Sequence, residues 1–168
     1  MVKDISAALE STRQVLLQTV SDFPQEKFNT VPFKDSWTAG QVAEHIVKFS
    51  SGGAEILSSP GTDTKRDPAE KINALCDLFL NFDIKMVAPD FIRPSDEPHE
   101  KDIVLNLLDN AYNPMIALSK TSDLTLTYAD FDLPQFGTLT RMEWLYFILF
   151  HTQRHIRQLK NIRGWLEG

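Results

Sequence analysis

Apolar residues recur every three or four positions along five stretches of the chain, the spacing that places them on one face of an α-helix. Two stretches open on the pattern of a capping box, Thr38 with Gln41 and Thr140 with Glu143. Pro114 lies inside the fourth stretch, where it is expected to kink the helix. The predicted helices cover about residues 2–21, 38–51, 67–79, 98–118 and 140–163.

The segments between these helices are long and rich in proline, aspartate and serine, notably residues 23–37, 58–66 and 87–97. Gly52 and Gly53 are expected to end the second helix. The alternating sequence TLTYADFDL, within residues 124–133, predicts an extended segment or a short hairpin arm, too isolated to build a sheet. The pattern therefore predicts an all-α fold, a four-helix bundle with one additional short helix and long loops, in a single domain over residues 1–168.

Charge and apolar run length exclude several classes of function. The net charge of −6 argues against nonspecific binding to nucleic acid, which needs a basic surface. The longest apolar run, Trp144 to Phe150, is too short to span a bilayer, and charged residues interrupt the first turns of the chain. Cys76 is the single cysteine, so no intrachain disulfide can form. We expect a cytoplasmic protein with no membrane or nucleic-acid partner.

Three of the four histidines lie on predicted helices at positions that can converge. His151 and His155 are one helical turn apart on a stripe with Ile148 and Leu159, and His45 shares an apolar stripe on the second helix. Each histidine taken alone is more often a core residue with one hydrogen bond. Three inward imidazoles, however, would form a metal site with an open coordination position.

The remaining polar residues near these positions have simpler interpretations. His99 lies in a polar helix start and is predicted to be at the surface, and Glu44 is interpreted as a solvated charge rather than a catalytic base. Gln41 and Gln158 share helix faces with His45 and His155, so either could orient an imidazole or be an ordinary surface amide. Thr152 follows His151 where metalloproteases of the HExxH type carry glutamate, which disfavours that peptidase chemistry.

Three imidazoles without a thiolate suit borderline divalent ions. Zn²⁺ and Ni²⁺ are the first expectation, with Fe²⁺ and Cu²⁺ as alternatives, and the residues themselves do not select among them.

Two strings resemble the DinB-like superfamily, which includes the YfiT-type relatives. One is Ser36-Trp37-Thr38 through Gln41 to His45, and the other runs from Phe136 through Leu159 and contains HTQRH. The resemblance implies a four-helix bundle in up-down-down-up order. It also implies a divalent-metal site formed by His45, His151 and His155, often in a homodimer, and metal-dependent chemistry with low-molecular-weight thiols.

Two functions of different classes follow. The first is a divalent-metal-dependent enzyme with thiol S-transferase-like or hydrolase-like activity on a small-molecule substrate, whose catalytic residues beyond the metal ligands are not assigned. The second is a metal- or small-ligand-binding bundle without catalysis. An open metal position would favour the enzyme, and a closed site with a fourth protein ligand would favour the alternative.

The apolar run from Trp144 to Phe150 also bears on assembly, because a helix that is apolar on every side needs more than one covering element. A second subunit would supply that cover, so we expect a homodimer. The alternative is that the TLTYADFDL arm lies over this side of the helix.

Overall fold

The computed structural model describes residues 4–168, so the predicted start of the first helix at Val2 lies outside the described residues. A 3-10 turn at Asp90–Ile92 interrupts the long loop that ends before Lys101. The helices are α1 (Ile5–Ser21), α2 (Gln25–Phe28), α3 (Ala39–Ser50), α4 (Gly53–Ser58), α5 (Ile72–Phe79), α6 (Lys101–Ser119) and α7 (Arg141–Glu167). The strands are β1 (Thr127–Leu133) and β2 (Gly137–Thr140).

The bundle consists of four helices, α1, α3, α6 and α7. Both α1 and α3 pack against α6 and α7, while α5 lies against α7 and α4 against α6. Side chains from every bundle helix, such as Leu9, Ile46, Leu108 and Leu145, are fully buried between them. Each such aliphatic side chain contributes roughly 1.5–3 kcal/mol of transfer free energy, so the helices are held by packing. The predicted all-α four-helix bundle with an additional helix is confirmed.

Both predicted capping boxes are present, and they set where the two histidine-bearing helices begin. The Thr38 hydroxyl accepts a hydrogen bond from the backbone N–H of Gln41 at 3.1 Å. In return, the side-chain oxygen of Gln41 accepts from the backbone N–H of Thr38 at 3.0 Å. Thr140 and Glu143 repeat the arrangement at the start of α7. Each reciprocal pair satisfies two backbone donors that a helix start otherwise leaves without partners.

The second helix ends at Ser50, within one residue of the predicted end. A separate short helix, α4, begins at Gly53, where a side chain would collide with Met115.

The start of the third helix was predicted wrongly. The third helix begins at Ile72 rather than near Asp67, whose carboxylate instead accepts from the Ala69 N–H at 2.9 Å and forms a turn. The Lys71 N–H then donates to Glu143 of α7, so a tertiary contact occupies the helix start. The fourth helix, α6, continues through Pro114.

The alternating segment forms the first strand of an antiparallel hairpin, with Thr127 opposite Thr140 and Leu133 opposite Gly137. The turn uses left-handed backbone at Gln135 (φ 71°) and Gly137 (φ 66°). The hairpin lies beside Trp144 of α7, whose ring centroid is 5.8 Å from that of Phe131. The structure therefore shows a short hairpin arm, and this arm lies over Trp144.

All seven residues of the apolar run 144–150 are buried within one chain. The hairpin covers Trp144, α5 contributes Phe79 against Phe147 with ring centroids 4.6 Å apart, and Phe49 of α3 covers the same ring. The argument for a homodimer from uncovered rings therefore no longer holds. Among residues 4–168, no helix is both long enough and apolar enough to cross a membrane.

Candidate metal centre

Three buried imidazoles meet between α3 and α7. His45 is supplied by α3, and His151 and His155 lie one turn apart on α7, each at most 8% exposed. The Nε2 atom of His151 lies 3.3 Å from Nε2 of His45 and 3.2 Å from Nε2 of His155. The structure thus brings together the three histidines that the sequence singled out.

The outward nitrogens of two rings fix where their protons are. Nδ1 of His45 lies 2.8 Å from the Ile92 carbonyl oxygen, and Nδ1 of His155 lies 2.8 Å from Oε1 of Gln158. Both partners can only accept, so each Nδ1 carries the proton and donates it. In the neutral rings the Nε2 atoms of His45 and His155 are therefore bare, and both lone pairs face His151.

The single proton of a neutral His151 ring cannot give every buried nitrogen of the cluster a hydrogen-bond partner. A proton on its Nε2 would leave Nδ1 as an unpartnered acceptor, and Nδ1 is buried with no hydrogen-bond partner among the described residues. A proton on Nδ1 would instead leave three lone pairs pointing at one another. In either state a buried nitrogen lacks a partner, which costs roughly 1–3 kcal/mol. A cation at the centre would bind all three lone pairs.

The spacing also fits such an ion. Imidazole nitrogens bind Zn²⁺ at about 2.0–2.1 Å, and tetrahedral geometry then separates neighbouring nitrogens by about 3.3–3.4 Å. The observed separations of 3.2 and 3.3 Å agree with this value. The ligand atoms of all three residues lie within 4.8 Å of one another.

Burial keeps the three rings neutral at physiological pH. It lowers the pKa of His45, and it lowers the pKa of His151 well below the usual value, with further contributions from His155, His45 and Arg154. For His155, burial and the neighbouring His45 lower the pKa to about 3. Neutral imidazole is the form that ligates a metal, so the site does not need to release protons before an ion binds.

Aromatic side chains form the walls of the site. The Phe49 ring stacks on His151 with centroids 3.9 Å apart, and Phe79 and Phe147 approach the same imidazole edge-on at 5.9 and 6.0 Å. Trp37 lies against His45 at 5.2 Å. These contacts restrict the ring orientations and keep water away from the apolar side of the cluster.

The two glutamines predicted to lie beside the ligands occupy different positions. Gln158 contacts His155, as described above. The Gln41 amide accepts from the Thr38 N–H and donates to the Ser95 carbonyl and to Asp96 at 3.1 and 3.3 Å. Gln41 therefore bonds to the helix start and to the neighbouring loop instead of an imidazole, because the capping box already uses its carbonyl oxygen.

Sequence reasoning missed the environment of His99 and Glu44. His99, predicted to be at the surface, is 9% exposed, and its Nε2 donates to Glu44 at 2.8 Å. Glu44, interpreted as a solvated charge, also accepts from both the N–H and the hydroxyl of Ser95. Burial opposes its ionisation, but hydrogen bonds from His99, Lys48 and Ser95 outweigh that effect and lower its pKa to about 2.

The Ile92 carbonyl was also missed, since a backbone acceptor leaves no signal in residue types. The polar sequence around His99 gave no sign of burial either, because the segment is bound to α3 and to Asn29 through its own backbone groups. These contacts join residues 51 to 70 positions apart in the chain, a separation that local periodicity does not report.

The sequence and the fold are matched by known proteins. The sequence pattern that defines the DinB superfamily matches residues 8–159, a range that contains all three histidines. The chain belongs to the DinB superfamily. This DinB-superfamily chain is 28% identical over 150 residues to the uncharacterized protein YuaE of Bacillus subtilis strain 168, covering 84% of this chain and 86% of YuaE.

The crystal structure of TT2238, a four-helix bundle protein, resembles the present fold with a TM-score of 0.60. The likeness covers 94% of this chain and 96% of TT2238 at 21% identity, and it supports the bundle architecture.

Proposed function

We propose that this DinB-superfamily chain binds one divalent metal ion through Nε2 of His45, His151 and His155. The observation that carries the proposal is the convergence of three Nε2 atoms, two of which belong to rings whose Nδ1 already donates to Ile92 or to Gln158. Zn²⁺ or Ni²⁺ is the expected ion, and Fe²⁺ or Cu²⁺ has compatible ligand chemistry.

The donor set favours an enzyme over a purely structural site. Within residues 4–168, the cluster of potential ligands consists of three histidines with no further cysteine or carboxylate, so one position stays open for a small molecule. When bound, the ion would act as a Lewis acid that lowers the pKa of a coordinated thiol or water. We therefore propose a thiol S-transferase-like or hydrolase-like activity on a small-molecule substrate.

The chain itself would contribute orientation and exclusion of water. Ile92 and Gln158 hold two imidazoles in the ligating tautomer, and the aromatic walls position His151. These groups determine the geometry of the site before any substrate arrives.

A metal- or small-ligand-binding bundle without catalysis is the second candidate, and one observation favours it. The nearest acidic side chain in sequence, Glu44, is already occupied by Ser95, His99 and Lys48. It is therefore not placed to serve as a general base, and catalysis would depend on the ion and its coordinated group alone.

Elemental analysis of the untagged protein tests metal binding. We expect close to one equivalent of a transition metal per chain, lost in His151→Ala, while helix content by circular dichroism is retained because the apolar core is extensive. Lys160→Ala, an exposed substitution on the same helix, is the matched control. Equal metal content in His151→Ala and the parent protein would rule out the assigned ligand set.

A reactivity screen then separates the enzyme from the binding module. The metal-loaded protein is incubated with low-molecular-weight thiols and a panel of electrophiles, and also with ester and amide substrates. Turnover that disappears in His151→Ala supports the enzyme. Stoichiometric metal without turnover in any arm supports the non-catalytic bundle.

A further inference from the structure

The proton acceptor for His45 is a backbone carbonyl in a loop, so its position depends on whatever holds that loop. Ile92 ends the 3-10 turn at Asp90–Ile92 and is followed by irregular chain up to α6. We call residues 92–96 the 92–96 loop. A carbonyl on such a segment is not fixed by secondary structure, unlike one inside a helix.

One face of α3 holds this loop through side chains spaced around His45. Lys48 donates to the Arg93 carbonyl at 2.7 Å, and Glu44 accepts from the Ser95 N–H at 2.7 Å and from its hydroxyl at 3.1 Å. Gln41 donates to the Ser95 carbonyl at 3.1 Å. Positions 41, 44, 45 and 48 share a helix face, so the residues that hold the loop and the imidazole that uses it lie side by side.

Glu44 is the centre of this arrangement. Its carboxylate also receives hydrogen bonds from Lys48 at 2.9 Å and from His99 at 2.8 Å, so it links both holding contacts to the chain beyond the loop. His99 is itself anchored, because its N–H donates to Asn29 at 2.8 Å and its carbonyl accepts from the same side chain at 2.9 Å. The 92–96 loop is thus held by α3, and the chain that follows it is held at His99 by Asn29.

We propose that Glu44 is a positioning residue that holds the Ile92 carbonyl against Nδ1 of His45 and thereby presents the bare Nε2 of His45 to the metal site. The two ring nitrogens of a histidine side chain are distinct, and in water the proton lies mainly on Nε2, so His45 needs a fixed acceptor at Nδ1 to keep the ligating tautomer. Without Glu44, the loop loses the acceptor for Ser95 and Lys48 loses its ion-pair partner. The metal-ligand part of this inference rests on the proposed function, whereas the tautomer part does not.

The experiment uses Glu44→Ala and two readouts. In metal-free protein, long-range ¹H–¹⁵N correlation spectra report the tautomer of His45. We expect the Nδ1–H form in the parent protein and a mixture with the Nε2–H form in Glu44→Ala. Zn²⁺ titration by calorimetry should show affinity reduced by about tenfold, the scale of losses when the partner of a ligating histidine is disturbed.

Controls separate positioning from general destabilisation. Glu55→Ala removes an exposed acid from α4, a helix that carries none of the three histidines, and should change neither readout. Glu44→Gln keeps an oxygen that can accept from the Ser95 N–H and should restore most of the Nδ1–H form. If Glu44→Ala folds poorly, Lys48→Met provides the same two measurements from the neighbouring contact to Arg93.

The outcomes are distinguishable from those of the proposed function. If the parent protein binds no Zn²⁺, metal binding fails but the tautomer spectra still decide the role of Glu44. An unchanged Nδ1–H tautomer in both Glu44→Ala and Lys48→Met, with Zn²⁺ affinity within twofold of the parent, would overturn the inference.

Discussion

At the scale of single residues, the protons on the imidazoles decide what the cluster can do. Ile92 and Gln158 accept hydrogen bonds from the Nδ1–H groups of His45 and His155, and burial opposes adding a second proton to any of the three rings. The same desolvation that makes the rings good neutral ligands also makes the folded protein sensitive to acid.

The pH dependence of stability follows from these lowered pKa values. In the unfolded chain a histidine titrates near 6.5, whereas folded His155 has a pKa of about 3. Below about pH 6.5 the unfolded state therefore binds protons that the folded state does not bind. The free energy of unfolding consequently decreases as the pH falls towards the folded pKa. We expect the free energy of unfolding of chelator-treated protein to drop steadily between pH 7 and pH 5 in urea titrations.

Replacing one titrating ring should weaken this dependence. His155→Gln removes the ring with the pKa of about 3 and should flatten the pH profile relative to the parent protein. Identical slopes in the two proteins would show that His155 does not carry the effect.

At the scale of elements, the close approach of the His99 segment to the backbone of α3 decides how this helix packs. Gly40 lies in its first turn, where an added Cβ would come within 2.9 Å of the His99 Cβ and 3.0 Å of the Asn29 side-chain oxygen. Because Gly40 has no side chain, the His99 segment packs directly on the helix backbone. A residue of low helix propensity thus lies where the backbone of α3 contacts the His99 segment, which follows the 92–96 loop.

Gly40→Ala should therefore destabilise the protein by about 1–3 kcal/mol through overpacking, despite the gain in helix propensity. Gly52→Ala is the control, since its φ is −75° and no atom would lie within 4 Å of the new Cβ. That change should be neutral or should stabilise the protein by about 0.4–1 kcal/mol. Chemical denaturation measures both, and equal effects of the two substitutions would contradict this packing argument.

The start of α7 depends on a buried carboxylate. Glu143 is fully buried, accepts two hydrogen bonds from Arg66 at 2.6 Å, and also accepts from the N–H groups of Lys71 and Thr140 at 2.9 Å. It thus joins the capping box of α7 to the start of α5, which packs beside His151 through Phe79.

Glu143→Gln should cost roughly 2–4 kcal/mol, because the amide cannot accept all four hydrogen bonds and Arg66 loses its ionised partner. Thermal unfolding measures the loss, and Glu167→Gln at the exposed end of the same helix is the comparison. A loss no greater than that of Glu167→Gln would show that the cap and ion pair contribute little.

At the scale of the whole molecule, the hairpin and α5 cover the apolar run of α7 that suggested a second subunit. Phe131 lies over Trp144, and Phe79 lies over Phe147. The homodimer remains a prediction, now supported by the family resemblance rather than by exposed rings. Sedimentation at micromolar concentration measures it, and a mass of one chain would contradict it.

The local features that the sequence determined by itself were those that depend on residues close together in the chain. Both capping boxes and the shared face of His151 and His155 follow from spacings of three or four residues. The register of these helices therefore needed no tertiary information. The convergence of His45 with the α7 pair was inferred from apolar stripes and the family resemblance, and the structure displays it.

Only the tertiary structure decided what packs against each apolar or polar face. It placed the Ile92 carbonyl on His45, buried His99 against Glu44, turned Gln41 towards the loop and laid the hairpin over Trp144. The periodicity of apolar residues predicts which side of a helix faces the core, but it does not predict which segment packs against that side. The partner is decided by contacts between segments far apart in sequence, where backbone acceptors and shape count as much as residue type.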